Sequence, residues 1–283
     1  MFKFRIIGFA LLMALLGGIF FWDAGGVWLF IAAAPAMVAA AVGECCAMLD
    51  KSGKPALVLP TALVTWLLAV GVLLGRMNPA AWGAVVLLLA LVILFSCGAL
   101  LSMQEEIMKK IFTSAGVMLL LAPSLIMLLY SFFLPVNSRE TGFWLIFLCL
   151  VTKATDTGGY IVGTLTAKLP GGNHKIAPNV SPKKSWEGLI GGMLLSLAVS
   201  LLFYRFSGVD FSGIGVVWFI VAAIVLSLGS FFGDLTESAV KRMCNIKDSG
   251  SFVPGMGGAF DVLDSFVYNG LLFWPLFFLQ GVL

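Results

Sequence analysis

Four aspartates, Asp156, Asp234, Asp261 and Asp264, stand in or beside stretches that are otherwise apolar. A charged side chain inside a membrane helix costs about 2.5 to 3.5 kcal/mol on insertion scales, so each of the four requires a reason. If residues 233–242 stay helical, Asp234, Glu237, Ser238 and Lys241 share one face at i, i+3, i+4 and i+7, and that face carries carboxylate, hydroxyl and ammonium together. A solvated helix with a Glu237 to Lys241 pair would explain the same residues without chemistry. The following run argues for more. Gly255, Gly257 and Gly258 open a further helix, and a glycine-rich turn at a helix start exposes backbone N–H groups that can cradle phosphate oxygens. Asp261 and Asp264, three apart in that helix, then place two carboxylates on one side. Paired hard oxygen ligands beside a polyphosphate suggest magnesium.

Asp156 lies in the run Lys153-Ala154-Thr155-Asp156-Thr157-Gly158-Gly159-Tyr160, with Lys153 as its simplest partner. Gly159 with Gly163 and Gly188 with Gly192 form two small-residue steps suited to close helix packing, which would bring Asp156 toward a neighbouring helix. Between those steps Lys183 and Lys184 stand near Trp186, a composition that fits an interfacial anchor and a clamp for a lipid phosphate equally well. The single histidine, His174, has no nucleophile pattern around it, and no Walker A run is present. The five cysteines form no CxxC, so neither disulfides nor zinc are suggested.

The elements that must position these residues are membrane helices. Of 283 residues, 60% are hydrophobic and 11% charged, and the mean hydropathy is +1.06. Lipid is therefore the main solvent. Stretches able to span occur at about 6–22, 27–49, 56–75, 80–103, 111–134, 142–165, 188–206, 214–233 and 259–281, which predicts an all-α polytopic protein of about nine transmembrane helices. One set of helix ends carries Lys3, Arg5, Lys51, Lys54, Lys109, Lys110, Lys168, Lys175, Lys183, Lys184, Lys241, Arg242 and Lys247; the other carries Arg76, Arg139 and Arg205. The positive-inside rule then puts the N-terminus in the cytoplasm. Lys3 and Arg5 ahead of an apolar run also fit a cleaved signal peptide over residues 1–25, although the run is longer than the usual core of about 7 to 15 residues. The expected organisation is one membrane domain over 1–283, with a five-helix part at 1–135 and a catalytic four-helix part at 142–283 that carries cytoplasmic loops at 166–187 and 234–258. A net charge of +3 is too small to imply a nucleic-acid partner.

From Ser238 to Asp264 the chain resembles the phosphatidate cytidylyltransferase signature: Ser-x-x-Lys-Arg, then Lys247-Asp248, Pro-Gly-x-Gly-Gly and Asp-x-x-Asp, without gaps. The Ser181 to Gly188 loop and the Asp156 to Tyr160 run also look like family elements, as does Glu44 near the end of the second segment. Two positions depart: Met256 stands where the family usually has His, and Val262 where it has Arg. The resemblance implies attack by the phosphate of phosphatidic acid on the α-phosphorus of CTP, giving CDP-diacylglycerol and pyrophosphate at a bacterial inner membrane, with the site facing the cytoplasm. It implies Asp234, Asp261, Asp264 and Asp156 as magnesium ligands, with Asp234, Ser238, Lys241, Asp261 and Asp264 catalytic. Lys241, Arg242, Lys247 and Asp248 would meet the nucleotide, Lys183 and Lys184 the lipid headgroup, and Gly255, Gly257 and Gly258 would let backbone approach. The resemblance suggests a homodimer among membrane lipids and leaves open a monovalent cation beside magnesium. The alternatives are a CTP-dependent enzyme for another lipid phosphate, an ion-coupled transporter, or a silent membrane scaffold.

Overall fold

The computed structural model describes residues 14, 17–19, 25–79, 81–101, 104–136, 139–140, 142–207, 211, 213–250, 252 and 257–279. Almost all of the first expected segment, 6–22, lies outside the described residues, as do Gly255 and Met256.

The other expected segments are helical. They are α1 (Gly26–Lys51), α2 (Val58–Met77), α3 (Ala81–Leu101), α4 (Glu105–Tyr130), α5 (Phe143–Thr166), α6 (Trp186–Phe206), α7 (Val216–Met243), α8 (Ala259–Leu263) and α9 (Asn269–Leu279). Among the described residues, seven helical stretches are long and apolar enough to cross a membrane. The chain is an all-α polytopic membrane protein. Its only described strands form two short antiparallel ladders, β1 (Pro135–Val136) with β2 (Arg139–Glu140) and β3 (Lys175–Ala177) with β4 (Ser181–Ser185).

Three boundaries differ from expectation. The loop expected at 234–258 starts only after Met243, because α7 continues through Asp234, which accepts from Lys184, through the buried Glu237, and through Lys241, which donates to Asp261. Asn245, in the left-handed region at φ 55°, ends α7, and the Ile246 N–H returns to the Lys241 carbonyl at 3.0 Å. The span expected at 259–281 is broken by a 3-10 turn, Asp264–Phe266. Asp264 Oδ1 there accepts the Ser265 N–H at 2.6 Å, a local bond that competes with the α-helical ladder. Within the expected loop 166–187, β3 and β4 build a hairpin. Asn173 Nδ2 ties it to the Gly163 carbonyl at 2.8 Å, and the His174 N–H and Nδ1 are engaged by the Glu187 carboxylate.

The chain divides into two compact units, Met1–Tyr130 with Val240–Leu263, and Ser131–Ala239 with Asp264–Leu283. In the first unit α1 packs against α2, α4 and α8. In the second, α5 and α6 meet through glycine. A Cβ at Gly158 would lie 2.6 Å from the Gly191 carbonyl oxygen, and one at Gly192 would lie 2.7 Å from that of Thr155. The close packing expected of the small-residue steps is therefore present, and it seats Asp156 beside the hairpin. Below it Trp144, Phe147, Trp218, Phe219 and Phe273 form a buried aromatic cluster, with Trp218 Nε1 donating to the Leu276 carbonyl at 2.6 Å.

Candidate active site

In the second unit, α5, the hairpin, α6 and α7 enclose a cavity of about 610 Å³. That volume is within the range of small-molecule sites, about 300 to 1,000 Å³. Its lining includes Lys168, Lys175, Lys183 and Lys184 against two carboxylates, Asp156 and Asp234. Lys183 is exposed, while Lys184 is drawn inward: Nζ donates to Asp234 Oδ2 at 2.8 Å and to the Phe231 carbonyl at 3.1 Å, and lies 4.7 Å from the Phe231 ring centre. Of the two expected headgroup lysines, one is thus held by α7.

Asp156 bonds to three side chains of this unit. Oδ1 accepts from Ser230 Oγ at 2.9 Å, and Oδ2 lies 3.1 Å from Lys153 Nζ and 3.0 Å from Ser265 Oγ. The Ser265 hydroxyl also lies 3.1 Å from Asp264 Oδ1 and accepts from Lys153 Nζ at 2.8 Å. One hydroxyl therefore bridges Asp156 and Asp264, and one ammonium offsets part of their charge. The cost of placing carboxylates in apolar helices is offset by these charge-assisted bonds.

Asp261 has different partners. In the first unit it accepts from Lys241 Nζ at 3.2 Å, from the Ser249 N–H at 3.1 Å to each oxygen, and from the Gly258 N–H at 2.8 Å. The Gly258 N–H, of the turn expected to cradle phosphate, thus already meets carboxylate, and Lys241 is likewise engaged. Gly257, at φ 106°, takes the left-handed conformation that lets this turn close. Arg242, Lys247 and Asp248 are exposed, and Ser238 is half-buried on α7. Among the described residues, no group of three or more His, Cys, Asp or Glu side chains is placed to hold a metal ion.

The residues that sequence reasoning passed over are Ser230, Ser249, Ser265, Lys168 and Lys175, together with the part played by Glu44. Glu44 Oε2 accepts from Ser249 Oγ and from the Phe260 N–H, each at 3.0 Å.

Against known proteins, the family model described as the cytidylyltransferase family matches residues 3–280. A phosphatidate cytidylyltransferase of Staphylococcus saprophyticus is 41% identical over 133 residues, 47% of this chain and 48% of that protein. One of Staphylococcus haemolyticus is 40% identical over 132 residues, 46% and 48% of the two chains. One of Haemophilus influenzae is 39% identical over 124 residues, 44% and 41%. The aligned region of this chain spans about half the length of the curated relatives it matches.

Proposed function

The chain belongs to the cytidylyltransferase family, and from that premise we propose that it transfers the cytidylyl group of CTP to phosphatidic acid, forming CDP-diacylglycerol and pyrophosphate. The observation that carries the reading is the cavity of the second unit, in which four lysines face two aspartates within a membrane-embedded chain. A phosphate on a lipid requires such a cationic cavity opening from protein that its acyl chains can flank. The relatives' names supply the two substrates.

A phosphate monoester has a second pKa of about 6, so the attacking lipid phosphate is already largely dianionic near neutral pH. No strong general base is needed, which fits a chain whose one histidine is tied to Glu187. The barrier is the approach of two polyanions, and fixed cations lower it. A lipid-phosphate oxygen attacks the α-phosphorus, the bond to the β-phosphate bridge breaks, and pyrophosphate leaves with the electron pair. Lys183, Lys184, Lys168 and Lys175 hold the reacting phosphates in the cavity. Lys241, Arg242 and Lys247 belong to the first unit, and a part for them as cations for the nucleotide rests on the resemblance alone.

Magnesium suits the donor set in chemistry, since Asp156, Asp264 and the Ser265 hydroxyl are hard oxygens, and the ion ordinarily takes one or two carboxylates with water and substrate phosphates. Bound there, it would neutralise charge on the transferring phosphates. Asp234 is the third aspartate among the described residues of this unit. For Asp261 to coordinate an ion, its bonds to Lys241 or the backbone would have to open. The site faces the cytoplasm of a bacterial inner membrane in this reading, the side on which CTP is dissolved.

Val262, where the resemblance leads one to expect Arg, favours as second reading a different lipid phosphate. A panel of phosphatidic acid, a polyprenyl phosphate and an ether-linked lipid phosphate, each with purified protein, magnesium and CTP, separates the two. Pyrophosphate release with phosphatidic acid alone supports the first. Release only with another lipid phosphate replaces it by the second.

A further inference from the structure

A carboxylate in the middle of an apolar helix is costly unless it is used. Glu44 lies within α1, beside the buried Gly43, Cys45 and Cys46, and it is half-buried itself. Its Oε2 accepts two bonds from residues more than two hundred positions away, Ser249 Oγ and the Phe260 N–H, both at 3.0 Å. These flank the glycine-rich segment on either side. The same segment is held from within by Asp261, which takes the Ser249 and Gly258 N–H groups and Lys241. Two glycines carry the mark of this contact. A Cβ at Gly250 would have Glu44 atoms as its three nearest neighbours, Oε1 at 2.5 Å, and a Cβ at Gly258 would lie 2.1 Å from Ser249 Oγ and 2.2 Å from Glu44 Oε2. A side chain at 250 would therefore displace the Glu44 carboxylate, and one at 258 would displace both that carboxylate and the Ser249 hydroxyl.

We infer that Glu44 is a positioning residue for the nucleotide side of the reaction: it latches Ser249 and Phe260 onto α1 and so fixes Lys241, Asp261 and Lys247 for CTP. This rests on the cytidylyltransferase reading. Glu44 touches no reacting atom in this account; it acts through the segment. Losing a carboxylate that holds two donors removes charge-assisted bonds, enough for a change of about tenfold or more.

The test uses the full chain in detergent as wild type, Glu44→Ala, Glu44→Gln, Gly250→Ala and the Glu44→Ala/Gly250→Ala double variant. Hydrogen exchange of peptides covering Ser249 and Phe260 reads the latch, and steady-state kinetics with CTP and phosphatidic acid reads its use. Glu44→Ala is expected to speed exchange there about tenfold or more and to raise KM for CTP by a similar factor, with KM for the lipid within about twofold. Glu44→Gln, whose amide oxygen still accepts the Phe260 N–H, should recover part of both. Gly250→Ala should resemble Glu44→Ala alone and add little to it, since the atoms it would displace are gone. Unchanged exchange in folded Glu44→Ala protein, or additive effects of the two substitutions, overturns the latch. A latch seen by exchange in a wild type that makes no CDP-lipid defeats the cytidylyltransferase reading and, with it, the role in CTP binding, while the contact itself stands.

Discussion

At the scale of single residues, the Ser265 hydroxyl bridges two carboxylates and meets one ammonium. Its removal should loosen Asp156 and Asp264 together. If Asp156 and Asp264 hold magnesium as proposed, Ser265→Ala is expected to lower kcat by about tenfold to a hundredfold, with KM for CTP nearly unchanged in a steady-state assay. Lys184 and Asp234 make a second, separable point, because both side chains are largely buried, at 18% and 25% exposure. Asp234→Ala leaves an ammonium in a poorly solvated place and should cost about 3 kcal/mol of stability, read as a lowered thermal-inactivation midpoint. Adding Lys184→Met should restore part of it, because the uncompensated charge is then gone. The four aspartates were legible in the sequence because a carboxylate in an apolar run is expensive. Ser230 and Ser265 were not, since serines are common in membrane helices and a single hydroxyl makes no pattern. Lys168 and Lys175 looked like ordinary interfacial lysines until the hairpin set them around a cavity.

At the scale of elements, the glycine contacts of α5 and α6 hold the wall on which Asp156 sits. Gly158→Val would drive a side chain into the Gly191 carbonyl, which a Cβ already meets at 2.6 Å, whereas at Gly163 the nearest atom to a Cβ is 3.7 Å away. Gly158→Val is therefore expected to cost about 1 to 3 kcal/mol or more and to lower the thermal midpoint clearly, while Gly163→Ala leaves it nearly in place. Hydropathy alone made the helix positions readable, because the bilayer thickness sets their length. It could not show where α7 ends or that residues 259–279 break at Asp264. Those limits depend on partners such as Lys184 for Asp234 and on the local Asp264 to Ser265 bond, which no window of composition contains. The β3–β4 hairpin was hidden for the same reason: Asn173 and Glu187 anchor it by bonds to groups distant in the pattern.

At the scale of the whole molecule, the distribution of Lys and Arg predicts that the hairpin loop is on the cytoplasmic side. A cysteine at Lys175→Cys should react with a membrane-impermeant maleimide only after cells are opened, and one at Arg139→Cys in intact spheroplasts; the reverse pattern would invert the topology. Magnesium belongs to this scale too, since it would neutralise the summed charge of both substrates. Chelation is expected to abolish turnover and added magnesium to restore it, as followed by pyrophosphate release. The central claim is that the α-phosphorus of CTP moves to a lipid phosphate. It is tested most directly by giving the purified protein phosphatidic acid with CTP labelled either at the α- or at the γ-phosphate, beside an Asp264→Asn variant. The account expects the α label in the lipid phase and the γ label in water as pyrophosphate, with the variant transferring neither. A γ label in the lipid, or no α label there from folded wild-type protein, would contradict it.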